Sequence, residues 1–454
     1  MREKIKKLIS KANVSFIEVH LEEREGIEIR YVGKELESLN QYIDIGGNVR
    51  AFSKGIWSFA SFNNFDELES HINFVAREAR LGCNGKKGRL AKVIPYVDEV
   101  IVKMENDPRK IPINEKVKLA KSYNSRILRS KKIQSSRVTY EDIFQRRFYL
   151  NSEGADIVEE KIYCGISFTA IAKDGMNVQM MHKSKGDTEG FHIVYGLEED
   201  AEEVKKDAIN LLKAEKVKAG IYTVVADPLL TGVFAHEAFG HLSEADFIYT
   251  NQKMQKIMEF GKRFGNKNLN IVDDGSIRGK RGSYKYDDEG VRSRKNYLVK
   301  NGILVGRLHS RESADIMREK PTGNARAISY QFPPIVRMSN TYILKGKMAF
   351  DELIGEVEEG IYAVSALGGQ TELEMFTFSS SKAYLIKDGK IGPMVRDVVL
   401  SGNVFETLKN IDGIGSDVSM HGGLGGCGKD GQMPLPVSDG GPHIRIRNVV
   451  IGGK

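Results

Sequence analysis

Two histidines bracket a glutamate in the run His236-Glu237-Ala238-Phe239-Gly240-His241, a combination that can hold a metal ion and set a carboxylate beside it. Independent placement of nine histidines and 61 acidic residues in 454 positions would give about 0.02 such patterns, so coincidence explains it poorly. His236 and His241 are therefore expected to be ligands. Glu237, next to a ligand, is expected to be the general base that orients and deprotonates a metal-activated water. The bland readings, core or helix-end histidines and an exposed helix acid, leave the grouping of the three unexplained.

A catalytic zinc usually takes three protein ligands and a water, so one more ligand is needed. Glu244, Asp246, His421 and His443 qualify on chemistry alone. Cys427 is preferred. It sits in GGLGGCGKDGQ, residues 422–432, where glycines permit a tight excursion into a cleft, and a soft thiolate beside two imidazoles favours zinc over magnesium or calcium. Gly423 to Lys429 also fits the front of a phosphate-binding GxxxxGK loop. The fit then fails: Asp430 replaces the magnesium-binding hydroxyl, Pro434 and Pro436 prevent a following helix, and no apolar strand precedes Gly422.

These residues need elements to aim them. Ile221 to Ala226 is a short apolar run suited to a buried strand, and Asp227-Pro228 supplies an N-cap with proline at the first helical position. A helix should then run from Leu229 into His241. At about 100° per residue, side chains five apart differ by roughly 140°, against roughly 40° for four apart. A straight helix cannot turn both imidazoles to one ion, so a π-type bulge or break is predicted inside the motif, at Gly240, whose backbone tolerates unusual angles.

Upstream, strand-like runs (14–21, 26–32, 47–62) precede a helix over Asp66 to Leu81, in which Leu68, Ile72, Val75 and Ala76 recur at helical spacing. Residues 138–194 show period-two patterning, with turns at Ser152-Glu153-Gly154 and Lys173-Asp174-Gly175, and a further helix is expected over 200–219. Beyond 220 come short strands separated by glycine turns at Asn301-Gly302, Leu367-Gly368-Gly369 and Lys387-Asp388-Gly389. The fold class is α+β. An N-terminal α+β region (1–219), divisible near 105–135, precedes a β-rich, mostly antiparallel metal-binding domain (220–454).

A hydrophobic fraction of 41% and a charged fraction of 28% are those of a globular protein. No run of about 18 apolar residues exists to span a membrane, and the start, MREKIKKLISKANVSF, lacks a secretory h-region and cleavage site. Cys83, Cys164 and Cys427 are an odd, scattered trio, which argues against a disulfide framework. A soluble cytoplasmic protein is expected. The net charge of +7 is dispersed, and the charged segment 279–296 lacks a recognition helix or stacking aromatics. It reads as a hairpin near the cleft, and nucleic-acid binding gets little support.

HEAFGHLSEAD (236–246), YKYDDEGV (284–291), AYLIKDGKIG (383–392) and GGCGKDGQ (425–432) together resemble the TldD/PmbA metallopeptidases, historically called modulators of DNA gyrase, with weaker similarity through the N-terminal half. The resemblance implies the TldD-type subunit, with one zinc on His236, His241 and Cys427 and Glu237 as base. It further implies an enclosed site for short or unfolded peptides, docked strand-like beside the metal. The implied partner is a metal-lacking TldE/PmbA-type paralogue, with a homodimer as the alternative. The competing readings are a regulatory subunit that keeps metal for structure alone, and a nucleic-acid-associated modulator.

Overall fold

The computed structural model describes residues 1–82, 88–372 and 374–452; Cys83 lies outside them. The N-terminal half is built on long antiparallel hairpins. β1 (Phe16–Val32), β2 (Glu35–Ser53), β3 (Ile56–Phe62), β4 (Val97–Val100), β5 (Ile133–Asn151), β6 (Asp156–Asp174) and β7 (Asn177–Asp187) form one sheet in the order β3-β2-β1-β5-β6-β4, with β7 also paired to β6. The strand expectations over 14–21 and 26–32 merge here. Glu22 to Gly26 continue the ladder between β2 and β5, so the charged stretch that looked like a break is strand.

Alternation decides what each face of this sheet meets. Ile17, Val19 and Leu21 point with Val49 and Leu150 toward α1 (Arg2–Lys11) and α2 (Leu68–Leu81). Cys164, Ile166 and Phe168 point toward α3 (Ile113–Ile127) and α4 (Glu198–Leu211). The helix expected over 200–219 stops at Leu211, and residues 215–216 join a strand, β8 (Glu215–Lys216), instead. The opposite face carries Glu18, His20, Arg147, Glu159 and Lys161, yet these are buried or nearly so, because the second half of the chain covers them.

That second half has its own large core. β9 (Gly220–Ala226) is flanked by the strand Glu359–Glu372, which runs parallel to it, and by Ile444–Gly452, antiparallel, within an eight-stranded sheet. A second sheet contains Ile271–Asp274, Asn340–Ile343 and Ser438–Gly441. Asn301-Gly302 and Asp388-Gly389 turn hairpins with positive φ at both residues, as type I′ turns require. The turn expected at Leu367-Gly368-Gly369 is absent: the segment is strand with a bulge between Ala366 and Gly368. Among the described residues no helix is long and apolar enough to cross a membrane.

The charged segment 279–296 folds back at 287–291 and lies between the halves. Asp287, Asp288 and Glu289 are buried there. Arg147 pairs with Asp288, Arg50 with Glu289 at 2.9 Å, and His20 Nε2 bonds the Asp288 carbonyl at 2.7 Å. It is thus a hairpin, with Tyr286 bridged to Arg292, buried as a polar joint between the halves.

Candidate metal centre

The helix that carries the motif begins as the sequence dictates. Asp227 caps α5 (Pro228–Ala235) by accepting from Leu230 N at 2.8 Å, with Pro228 in the first turn. Gly232 lets this helix approach the strand Ser438–Gly441 closely; a Cβ there would meet Gly440 N at 2.3 Å. That approach sets Asp439 beside the next turn of helix.

At His236 the backbone changes from α to π. The π turn runs over His236–Gly240 and passes into a 3-10 turn at His241–Ser243, which supplies the rotation that five-residue spacing demands. The reason for Gly240 differs from the expected one. Its φ and ψ, −59° and −54°, are ordinary helical values; glycine is needed for room, because a Cβ would meet Met338 Sδ at 2.0 Å.

Cys427 arrives from the far end of the chain. It opens a hairpin, Cys427–Lys429 with Gln432–Leu435, anchored by the fully buried Arg337, which donates to the carbonyl of Cys427 at 2.7 Å and of Gln432 at 3.2 Å. One ligand atom each from His236, His241 and Cys427 lies within 4.8 Å of the other two. The thiol sulfur stands 3.5 Å from His241 Nε2. Bond lengths of about 2.0–2.3 Å to a tetrahedral zinc separate ligand atoms by roughly 3.3–3.7 Å, a contraction within reach of small side-chain rotations.

The surrounding residues fit a cation. His236 Nδ1 bonds Asp439 Oδ1 at 2.7 Å and His241 Nδ1 bonds Glu244 Oε2 at 3.1 Å, so each ring is left with Nε2 as its free ligand atom. Burial would raise the Cys427 thiol, but the neighbouring His236 and His241 bring it down to about 5. Burial likewise opposes ionisation of Glu244, and Lys429, 3.1 Å away, with His241 brings it down to about 2. Glu237 is raised by burial against the pull of His236 and His241; its carboxylate is 4.0 Å from His241 Nε2.

The other candidates go elsewhere. Glu244 supports His241, Asp246 pairs with Lys429 at 2.7 Å, and His443 bonds Asp417 and Tyr362. His421 lines the adjoining cavity without joining the three. Asp439 and Arg337 were missed by sequence reasoning; the only signal for Asp439 is the rule that a ligating imidazole needs an acceptor on its other nitrogen. Lys429, the lysine of the rejected phosphate-loop pattern, is committed to Glu244 and Asp246.

His236, Glu237 and Cys427 face a cavity of about 550 Å³ between the two halves, walled on the N-terminal side by β7 residues such as His182 and Lys185 and on the other by Val364 and Lys382.

Comparison with known proteins finds relatives along most of the chain. Family models described as PmbA/TldA metallopeptidase domain 1, central domain and C-terminal domain match residues 17–81, 106–215 and 219–453. A metalloprotease of Synechocystis is 42% identical over 445 residues, 97% of this chain and 96% of that protein. A zinc metalloprotease TldD homologue of Saccharolobus solfataricus is 31% identical over 457 residues, 98% of this chain and 99% of its own. The crystal structure of TldE from Thermococcus kodakarensis shares the fold, with a TM-score of 0.77 at 18% identity and 100% of both chains covered. Matched along nearly its whole length, the chain belongs to the PmbA/TldD metallopeptidase family.

Proposed function

We propose that the protein is a zinc-dependent peptidase of the TldD type, which hydrolyses short or unfolded peptides with Glu237 as general base. The observation that carries this reading is the convergence of His236, His241 and Cys427 on one point, with the Glu237 carboxylate beside them at the cavity wall. His236, His241 and Cys427 would hold one zinc. When bound, zinc supplies Lewis acidity for carbonyl polarisation and water activation. Asp439 and Glu244 fix the two rings, and Lys429 keeps Glu244 ionised. Glu237 takes a proton from the attacking water onto its carboxylate and delivers it to the peptide nitrogen as the carbon–nitrogen bond breaks. The enclosing cavity suits an extended segment better than a folded domain.

The TldD assignment is supported by the presence of all four motif residues and by the relatives named metalloproteases. We further propose a cytoplasmic enzyme that works with a metal-lacking TldE/PmbA-type paralogue or, failing that, as a homodimer. Glu237→Gln is the direct test. The variant should keep wild-type zinc content by mass spectrometry while peptide cleavage falls about 10²–10⁴-fold. Cleavage at the wild-type rate would remove Glu237 from the base role; zinc bound by a wild-type protein that cleaves no peptide, alone or with the paralogue, would favour a purely structural metal.

A further inference from the structure

Helix α5 commits most of its surface to the fold. Leu230 and Phe234 enter the large core, while Thr231 and Gly232 lie against Gly440 and Gly441 of the strand Ser438–Gly441. Leu229 and Val233, one turn apart, take the direction that remains. They are half-buried and line the cavity of about 550 Å³, and Glu237, one turn further on, lines it too.

The strand Glu359–Glu372 adds Val364 and Ala366 to the same cavity, again half-buried. Asp227 ties this strand to the helix: its N donates to the Ala363 carbonyl at 3.0 Å, and its carboxylate accepts from Leu230 N at 2.8 Å and from Ser365 N. Val364 N donates to Ser380 Oγ at 3.2 Å. The backbone behind the four aliphatic side chains is therefore fixed. Ser365, between Val364 and Ala366, has a φ of +59°, a conformation that costs a non-glycine residue free energy and gathers at binding sites.

The lysines of the cavity are paired. Lys183 and Lys382 reach Glu203 at 2.6 and 3.0 Å, and Lys185 reaches Asp200 at 2.8 Å. Beside Glu237 the wall is instead aliphatic and open to the cavity, the kind of surface that an apolar ligand group covers. One helical turn rises about 5.4 Å and an extended peptide about 3.3 Å per residue, so Val233 lies within two residues of the bond that Glu237 serves.

We propose, on the basis of the peptidase reading, that Leu229, Val233, Val364 and Ala366 form a specificity subsite for an aliphatic side chain of leucine or valine size, lying within two residues of the bond that is cut. The substrates it selects are extended segments that carry such a residue. Folded proteins keep these side chains in their cores, so the subsite itself favours unfolded chains over exposed polar loops.

Binding and cleavage are read separately. Zinc-loaded Glu237→Gln protein is titrated with a blocked, dye-labelled octapeptide of serine and glycine that carries one leucine, and with the same peptide carrying asparagine in its place. Fluorescence anisotropy should show the leucine peptide bound about tenfold more tightly; equal affinities overturn the subsite. Wild type is also given a library of blocked peptides, and mass spectrometry of the products should find leucine, isoleucine, valine and methionine enriched at one position within two residues of the cleaved bond. Cleavage indifferent to the side chains there overturns it as well. Ala366→Leu, which fills the subsite, should abolish the advantage of leucine in binding, and Val233→Lys should transfer the preference to acidic residues; leucine preference unchanged in both contradicts the assignment. A protein that selects the leucine peptide yet cuts nothing would keep the subsite and refute the peptidase reading.

Discussion

An imidazole held through one ring nitrogen by a carboxylate presents the other in a fixed tautomer and direction, and so binds metal more tightly than a free-swinging ring. Asp439 does this for His236 across 203 positions of sequence. Asp439→Asn is therefore expected to weaken zinc affinity about 10–100-fold, measured by competition with a chromogenic chelator; an unchanged affinity would show that Asp439 does not orient the ring. Separation also decides what the sequence discloses. His236, Glu237 and His241 lie within six positions, and their types announce the chemistry. Cys427 is legible only because glycines surround it and thiolate chemistry suits zinc. Asp439 carries no local mark at all, since its role comes from the close packing that Gly232 permits between α5 and a strand from the other end of the chain.

At the scale of elements, the π turn is an arithmetic consequence of turning two side chains five residues apart to one point, which is why it could be expected before any coordinates. Its packing could not. The contact between Gly240 and Met338 is tertiary, and no spacing encodes it. Gly240→Ala should cost about 1–3 kcal/mol of stability through overpacking, read by urea denaturation, with zinc content falling as His241 shifts; a variant as stable as wild type would mean that Met338 moves aside freely. The long strands mislead in the opposite sense. Glu22 to Gly26 interrupt the apolar alternation, yet they are strand because they pair on both sides, with Tyr42–Gly46 of β2 and with Ile143–Arg147 of β5. Likewise Gly368-Gly369 reads as a turn and is a bulge, held by cross-strand pairing to Ser379 and Phe378.

For the whole molecule, the buried polar face of the N-terminal sheet is the feature hardest to foresee, because alternating charge on a strand ordinarily signals solvent. Here it signals the other half of the chain. Glu289 sits at that junction, accepting from Arg50 Nη2 at 2.9 Å and from Arg311 N at 2.6 Å. Arg50 keeps its buried pairing with Glu18 at 2.5 Å, so Glu289→Gln removes one of two charged partners and weakens these buried hydrogen bonds, at an expected cost of about 1–3 kcal/mol, and is expected to split the calorimetric unfolding transition; a single transition with unaltered stability would show that the halves are joined by other contacts. The proposed metal centre would itself be a property of the whole chain, since it would draw two ligands from one helix and the third from a hairpin 186 positions away. The most direct measurement of the account is therefore zinc K-edge X-ray absorption on the purified protein, with Cys427→Ser beside it. One sulfur at about 2.3 Å with nitrogen neighbours at about 2.0–2.1 Å, the sulfur lost in the variant, is the expected result. A shell of nitrogen and oxygen alone, the same in both proteins, would contradict it.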